Sequence, residues 1–532
     1  MQVCQPAAHE DRRGPLDPAV NSLHQDADLW VVDKPSGVST HRASATAQEG
    51  VYEYLLRRHE GPLALLHRLD KGTSGVLVFG RTPAANRALT EQLTARAVRK
   101  RYLLVCRDDP RRPAQLVCDK RLRRKPGRGK AELDAETRFT RLEQGSGLAL
   151  YEARPQGGRP HQVRVHAAQL GMPILGDGDY GGLDAPRLCL HAAEVAFEHP
   201  RGGPCEATSP LPESFRALLA GVSRPYVAAL AAGEARRGWV ATPDTDAFLW
   251  LDRHYDGFPR ARVERLGEVA HVLHYDEDAQ LRRDQVDALL RAGCGAVVER
   301  LRPRSGEQPP PQVTGGSLAD LRFEVRELGL RYWVDLAASG TSSGLFLDQR
   351  ETRRALLGAD RAGQRVLNTF AHTGALSVAA ASAGAETLSL DLSKRYLAWA
   401  RENLELNGLD PAAHDFMYGD TRDWLRRFAK KGRQFDLVLL DPPSYSTHKG
   451  KSWSVERDLA ALIGEGLRVL APGGELYVST NLRRMTAAAF LGHVENAARG
   501  RALACEFVTL PLDHRSGAQD PPYLKGAWLR PR

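Results

Sequence analysis

The stretch RVLNTFAHTGALSV, residues 365–378, decides the architecture of the C-terminal part of the chain. It opens on a short apolar run, turns at Gly374 and continues as an Ala-rich segment of helical character. A strand that turns directly into a helix leaves the N–H groups of the first helical turn free for a polar ligand above the sheet. Three further apolar runs follow: TLSLD (387–391), FDLVLLD (435–441) and ELYVST (475–480). Helical patterns separate them. SKRYLAWARENLEL (393–406) is amphipathic, with Ser393 as its N-cap and Asn407-Gly408 as its stop. Strand–helix alternation of this kind predicts a parallel sheet with helices on both faces, a Rossmann-like α/β fold.

Working outward, residues 245–320 hold shorter strand-like runs (AFLWLD, RARVERL, EVAHVLHY) and the loop PRSGEQPPPQVTGGS, whose prolines and glycines argue against regular structure. Residues 23–220 mix strand-like runs (LWVVD, GVLVFG, YLLVC, LALYEA) with few helical patterns, which predicts an α+β domain with a mixed, largely antiparallel sheet. The expected organisation is a flexible tail at 1–22, an α+β domain at 23–220, a linker at 221–244, a small β-rich accessory domain at 245–320 and the α/β domain at 321–532.

Composition fits this multidomain reading. At 532 residues the chain is too long for a single core, and 42% hydrophobic with 26% charged residues is the balance of a soluble globular protein rather than a disordered one. No stretch of about 18 apolar residues lacks charge, and the N-terminus has no apolar run after its charges, so neither a membrane protein nor a secretory signal is expected. Seven widely spaced cysteines contain no CxxC pair, which points to a reducing cytoplasm and away from structural zinc. The net charge is +9, but residues 96–130 alone hold 14 Lys/Arg against 3 Asp, leaving the remainder at −2. A basic patch this localised points to a polyanion, with nucleic acid first. Nothing in the sequence signals an oligomeric state.

LLHRLDKGTSGVLVFG (65–80) reads as an apolar strand, a polar loop and a second buried strand, which sets Asp70 at the lip of a sheet between Arg68 and Lys71. The residue types alone allow a nucleophile, a general base or an ion-paired turn residue. HRLD with TSG, Lys100-Arg101-Tyr102, GRPHQVRVH (158–166), LGMPILGDGDYGG (170–182) and LCLHAAEVAFEHP (188–200) resemble, in order, the motifs of the RluA family of RNA pseudouridine synthases over roughly residues 23–218. Gly157 stands for that family's usual Thr, and Pro160 for another Thr. The resemblance implies that Asp70 attacks the uridine as it detaches from its ribose, that Tyr102 packs on the base and helps move the C5 proton, and that Arg164 pairs with Asp70. It also implies that Arg68 fills the space left by a flipped base. An enclosed carboxylate needs such a fixed cation to stay charged. The basic run KRLRRKPGRGK, with Lys120, Arg121, Arg123, Arg124, Lys125, Arg128 and Lys130, is expected to contact RNA together with His161 and Gln162. No cofactor is implied for this half. His161 and His166 form H-x4-H, but no third ligand is evident and the spacing is not HExxH, so a structural role and no metal are expected.

In the C-terminal half, Asp391 ends a strand seventeen residues after Gly374, placed to take two ribose hydroxyls, and GxGxxG is absent, which disfavours NAD. Asp441-Pro442-Pro443 forms a stiff loop after another strand. These segments, with GLFLDQRETRRAL (344–356), DLSKRYLAWARENLELNG (391–408) and GDTRDWL (419–425), resemble class I S-adenosylmethionine methyltransferases, and more narrowly large-subunit rRNA methyltransferases of the RlmI and RlmK kind, over about 320–532. The accessory block has a weaker likeness to the domain preceding the catalytic one in those enzymes. The resemblance implies S-adenosylmethionine as cofactor, with Phe370, Thr373 and Gly374 in the cofactor loop, Asp391 and Ser393 at the ribose, Asp420 near adenine and Asp441 near the methyl donor and target base. Asp348, Gln349 and Arg350 would close the cofactor site, a structural role for this acid–Arg cluster being the equal alternative.

Making 5-methylcytosine requires a Cys nucleophile. Ser479, Thr480 and Asn481 stand where the cytosine-specific relatives carry it, and STNLRR (479–484) and WSVERDL (453–459) resemble guanine-N7 enzymes of the RlmK type. A guanine nitrogen is therefore the expected target. The whole reading is a bifunctional cytoplasmic enzyme acting on rRNA or ribosome-assembly intermediates, with no membrane partner. The alternatives are cytosine-C5 methylation, or an RNA-binding assembly factor whose active sites have decayed.

Overall fold

The computed structural model describes residues 21–58, 61–123, 132–221, 230, 233, 237–252, 256, 261–276, 279–302, 308–338, 342–448, 451–514 and 522–532. The expected tail therefore falls almost wholly outside the described residues, as does much of the expected linker. The described chain divides into two compact units: residues 21–325 with 511–514, and residues 326–510 with 522–532. The accessory block thus groups with the N-terminal sheet, and a short piece of the C-terminal region groups there too.

The first unit is built on a ten-stranded mixed sheet. Its spine runs Leu29–Lys34, Ser74–Gly80, Leu190–Glu198, Arg99–Arg107, Leu148–Gln156 and Glu136–Gly145. All these neighbours pair antiparallel except Ser74–Gly80 with Leu190–Glu198. The central strands are buried on both faces, which is why they read as continuous apolar runs such as GVLVFG rather than as alternating ones. Gly75 shows how tightly the parallel pair closes: its φ is +111°, and a Cβ there would meet the Ala192 carbonyl oxygen at 2.1 Å. In the same unit a five-stranded sheet runs Ala247–Leu251, Ala261–Leu266, Val269–His274, Ala296–Leu301 and Gln312–Gly316, with the helix Arg283–Arg291 bridging its one parallel pair. Residues 511–514 are fixed into this unit. Leu512 joins the buried cluster that holds Trp30, Tyr54 and Trp239, and the buried Asp513 carboxylate accepts the Leu249 N–H at 2.9 Å.

The second unit carries a seven-stranded sheet in the order Asp415–Tyr418, Glu386–Asp391, Arg365–Thr369, Phe435–Leu440, Leu470–Thr480, Lys525–Pro531, Leu503–Val508. The first five strands are parallel, Lys525–Pro531 runs antiparallel to both its neighbours, and Leu503–Val508 at the edge again runs with the first five. Strand order reverses between Arg365–Thr369 and Phe435–Leu440, and ligands of open α/β sheets bind at such a switch, beyond the carboxyl ends of the strands. The helix Lys394–Leu406 starts and stops at the expected residues, with the Ser393 hydroxyl accepting the Tyr396 N–H and Asn407 at its C-cap. Among the described residues no helix is long and apolar enough to cross a membrane.

Candidate active sites

The Asp70 loop is held from three sides. The Thr40 hydroxyl donates to the Leu69 carbonyl at 2.7 Å and accepts the Leu69 N–H at 3.0 Å. The Thr73 N–H donates to the Asp70 carbonyl at 3.0 Å. Lys34, fully buried, sends its ammonium to the carbonyls of Pro35, Val38 and Lys71 at 3.0, 2.7 and 3.3 Å. Burial pushes Lys34 down to about 7, the Arg187 charge adds to this, and Asp70 opposes it. Ser74 of the TSG motif is buried and accepts a bond from Arg187 at 2.6 Å, anchoring the strand that follows the loop.

The Asp70 side chain is 22% exposed, so it is enclosed yet open to a ligand. Arg164, on the short helix Gln162–Gln169, brings Nη1 to 3.4 Å from Asp70 Oδ2. The expected pair is thus present, but it is the longest of that guanidinium's carboxylate contacts. Nε and Nη2 are spent side-on against the fully buried Asp177 at 2.8 and 2.6 Å, and Nη2 also reaches the exposed Asp179 at 2.7 Å. Burial works against the Arg164 charge, and these acids more than offset it, holding the group above its ordinary value. The sequence reading missed Asp177, although GDGDY displays two acids just ahead of Tyr180.

Tyr102 lies half-buried on the strand Arg99–Arg107. Burial first, then the Asp70 charge, pushes its phenol up to about 12, so it stands as a neutral donor rather than a base. Arg68, Lys120 and Arg121 are exposed, with Arg121 paired to Asp134 at 2.8 Å. Arg124, Lys125, Arg128 and Lys130 lie outside the described residues, as does the Arg123 side chain. Gln162 departs from the RNA-contact expectation. It is buried, and its amide is spent on the Glu136 carbonyl, the Thr137 hydroxyl and the Arg159 N–H, because the first turn of this helix faces the sheet. His166 is likewise internal, bonded to Thr137 and the Lys120 carbonyl, while His161 faces Asp70, so the two histidines do not converge.

In the second unit, the switch point sets two loops side by side. Thr369 pairs with Leu440, so Phe370 and Asp441 leave neighbouring strands together, and Leu440 pairs with Val478, which brings up Ser479. Phe370, His372 and Gly374 all have positive φ (54°, 49° and 75°). At Gly374 a Cβ would meet that of Ala400 at 2.6 Å, so the turn needs glycine. Asp391 is fixed beside this loop, its two oxygens accepting the N–H groups of His372 at 2.9 Å and Ser393 at 2.8 Å. Burial nonetheless raises its carboxyl above the ordinary value. Thr373 is buried and donates to the Gly344 carbonyl at 2.5 Å. A backbone-lined turn with a carboxylate at its edge matches the polar groups of a nucleoside-bearing cofactor. Asp420 and Ser393 spend their side chains as helix caps, accepting the N–H groups of Asp423 and Tyr396.

Asp441 accepts a bond from Ser479 Oγ at 2.6 Å. Gln349 Nε2 donates to Ser479 Oγ at 3.2 Å, and its Oε1 accepts from Thr352 and Tyr477 at 2.7 and 3.1 Å. Burial, and with it the Asp348 charge, pushes Asp441 up to about 6 against the bonds from Ser479 and Gln349. Arg350 is directed elsewhere. It is 1% exposed, and its Nε donates to the fully buried Glu327 at 3.0 Å, where Arg353 also donates at 2.5 Å. Its Nε is thus engaged by Glu327, a contact of the structural kind.

The family model for S-adenosylmethionine-dependent methyltransferases matches residues 297–510, and that for RNA pseudouridylate synthases matches residues 28–169. The ribosomal RNA large subunit methyltransferase K of Neisseria meningitidis is 35% identical over 257 residues, covering 46% of this chain and 72% of that protein. The chain belongs to the S-adenosylmethionine-dependent methyltransferase family. A K/L ribosomal RNA large subunit methyltransferase from Shewanella sp. (strain MR-4) is 37% identical over 265 residues, which is 47% of this chain but only 35% of that longer protein. A crystal structure of a candidate methyltransferase complexed with SAH is 26% identical with a TM-score of 0.52, covering 63% of this chain and 87% of that one. A pseudouridylate-synthase-like domain therefore precedes a Rossmann-like methyltransferase domain in one chain.

Proposed function

We propose that this chain is a bifunctional RNA-modifying enzyme, isomerising uridine to pseudouridine with its N-terminal half and methylating a guanine nitrogen of large-subunit rRNA with its C-terminal half. The observation that carries the first activity is the meeting of Asp70 and Arg164, 94 positions apart, at 3.4 Å beside an accessible surface. Isomerisation breaks the C1′–N1 bond, forms C1′–C5, releases the C5 proton and leaves a proton on N1, so it needs no cofactor. Asp70 is the nucleophile, and Arg164 pairs with it. Tyr102 packs on the base as a neutral phenol, and Arg68 takes the vacated space. Lys120, Arg121 and the remainder of the basic run hold the phosphates.

For the second activity, S-adenosylmethionine supplies an electrophilic methyl group when bound. Phe370, Thr373 and Gly374 shape its loop, Asp391 takes the ribose hydroxyls, and Ser393 and Asp420 fix the helices around it. Asp441, ionised above about pH 6, faces the target base, where its charge offsets the positive charge that develops on a methylated guanine nitrogen. Ser479 occupies the place where cytosine-C5 chemistry needs a thiol. Cys294 is buried with the Arg265 guanidinium donating to its sulfur at 2.8 Å, and Cys505 is exposed on an edge strand, so neither is read as that thiol. The substrate is rRNA or an assembly intermediate in the cytoplasm.

The test compares rRNA modification maps of cells with the chain, without it, and with Asp70→Ala. Loss of one pseudouridine and one methylguanosine on deletion, with Asp70→Ala losing only the pseudouridine, is the expected result. Loss of 5-methylcytosine instead would transfer the second activity to the cytosine reading, and unchanged maps would leave an assembly factor.

A further inference from the structure

Asp70 has a second neighbour to which the reading above gives no part in the chemistry. His161 caps the helix Gln162–Gln169 in a left-handed conformation, φ 55°, which a residue with a Cβ adopts at a cost. Its side chain makes no capping bond. The ring instead brings Nε2 to 3.6 Å from Asp70 Oδ1. Behind it, Nδ1 meets the Tyr180 hydroxyl at 2.9 Å and Arg164 Nη1 at 3.3 Å. A guanidinium offers only N–H groups, so a proton on Nδ1 would point at another proton. Tyr180 and Arg164 therefore both donate into Nδ1, and the single ring proton sits on Nε2, aimed at Asp70.

We propose that His161, held as the Nε2–H tautomer by Tyr180 and Arg164, is a positioning residue that fixes Asp70 through Oδ1 while Arg164, gripped from behind by Asp177, fixes it through Oδ2. This rests on the reading of Asp70 as the nucleophile. The two donors come from one helix turn and face different oxygens, so they set the plane of the carboxylate rather than only its charge. The 3.6 Å separation is longer than a hydrogen bond, and such contacts tighten when substrate fills a site.

The test compares His161→Ala, His161→Gln and His161→Asn in the full chain, reading tritium release from C5 of uridine-labelled rRNA. The Gln amide reaches the place of Nε2. The Asn amide reaches only that of Nδ1, but Asn tolerates positive φ better. His161→Ala is expected to lower kcat by about 30- to 100-fold with KM within about 3-fold of wild type. His161→Gln should recover about tenfold of that loss and His161→Asn none of it. Equal or better recovery by Asn assigns His161 to backbone strain and overturns the proposal. So does a rise in KM at unchanged kcat, which marks an RNA contact, or full activity in His161→Ala. Independently of activity, 15N-histidine spectra, with the His161 signal assigned by its loss in His161→Gln, should show a bare Nδ1 that is perturbed in Tyr180→Phe; a protonated Nδ1 overturns the proposal. A wild-type chain that releases no tritium would defeat the uridine reading instead, and the spectra would still decide which nitrogen faces Asp70.

Discussion

Replacing Asp441 by Asn should stabilise the folded chain at neutral pH while abolishing methyl transfer. The carboxyl is raised from an ordinary 3.8 to about 6, first by burial and then by the neighbouring Asp348 charge. Folding therefore favours the protonated acid. The stabilising contribution of Asp441 is complete below its unfolded value near 3.8 and is lost as pH rises through about 6. A rise of this size corresponds to about 3 kcal/mol of differential interaction. Asp441 is not sealed from solvent, and an Asn amide would face the Gln349 donor, so about 2 kcal/mol is the expected gain at about pH 8. At about pH 4 the two proteins should be equal within about 0.5 kcal/mol. Urea midpoints of wild type and Asp441→Asn across this range measure the difference, and a methyl-transfer assay on rRNA measures the functional cost. An Asn variant that is less stable at pH 8, or an advantage that grows toward acid, would refute the reasoning.

Lys34→Met tests the opposite sign. Folded Lys34 sits at about 7 against an ordinary 10.5, so between these values the unfolded chain binds more protons and stability rises with pH. Wild type should gain about 3 kcal/mol relative to Lys34→Met between about pH 7 and 9.5, read from urea midpoints, and a flat difference would contradict this. Glu327→Gln leaves the buried guanidiniums of Arg350 and Arg353 without their shared anion. A loss of about 3–5 kcal/mol in urea unfolding of the second unit is expected, and less than about 1 kcal/mol would show that other partners carry these arginines.

The strands were legible because their runs are apolar and short, and the caps because Ser393 and Asn407-Gly408 bracket an amphipathic segment. The Asp70 and Asp441 loops were legible because each follows or precedes such a run. What could not be read is which acid meets which base. The resemblance left Arg350, with Asp348 and Gln349, between the cofactor site and a structural cluster, and only the fold shows its Nε meeting Glu327, 23 positions earlier. Gln162 and His161 are adjacent, yet one faces the sheet and the other Asp70, since the chain passes from a left-handed residue into a helix between them. Lys34 escaped notice because a lysine after an apolar strand ordinarily marks a solvated end. Here its three donors are taken up by backbone carbonyls.

The excursion at 511–514 bears on how the protein can be dissected. A stop codon near residue 320 would retain every strand of both sheets in the first unit, yet the shortened product would lack Leu512 from the buried cluster of Trp30, Tyr54 and Trp239, and the Leu249 amide would lose the Asp513 carboxylate. Each of the two family matches rests on its own sheet, but the polypeptide is laced so that the earlier half is finished only after nearly all of the later one has been synthesised.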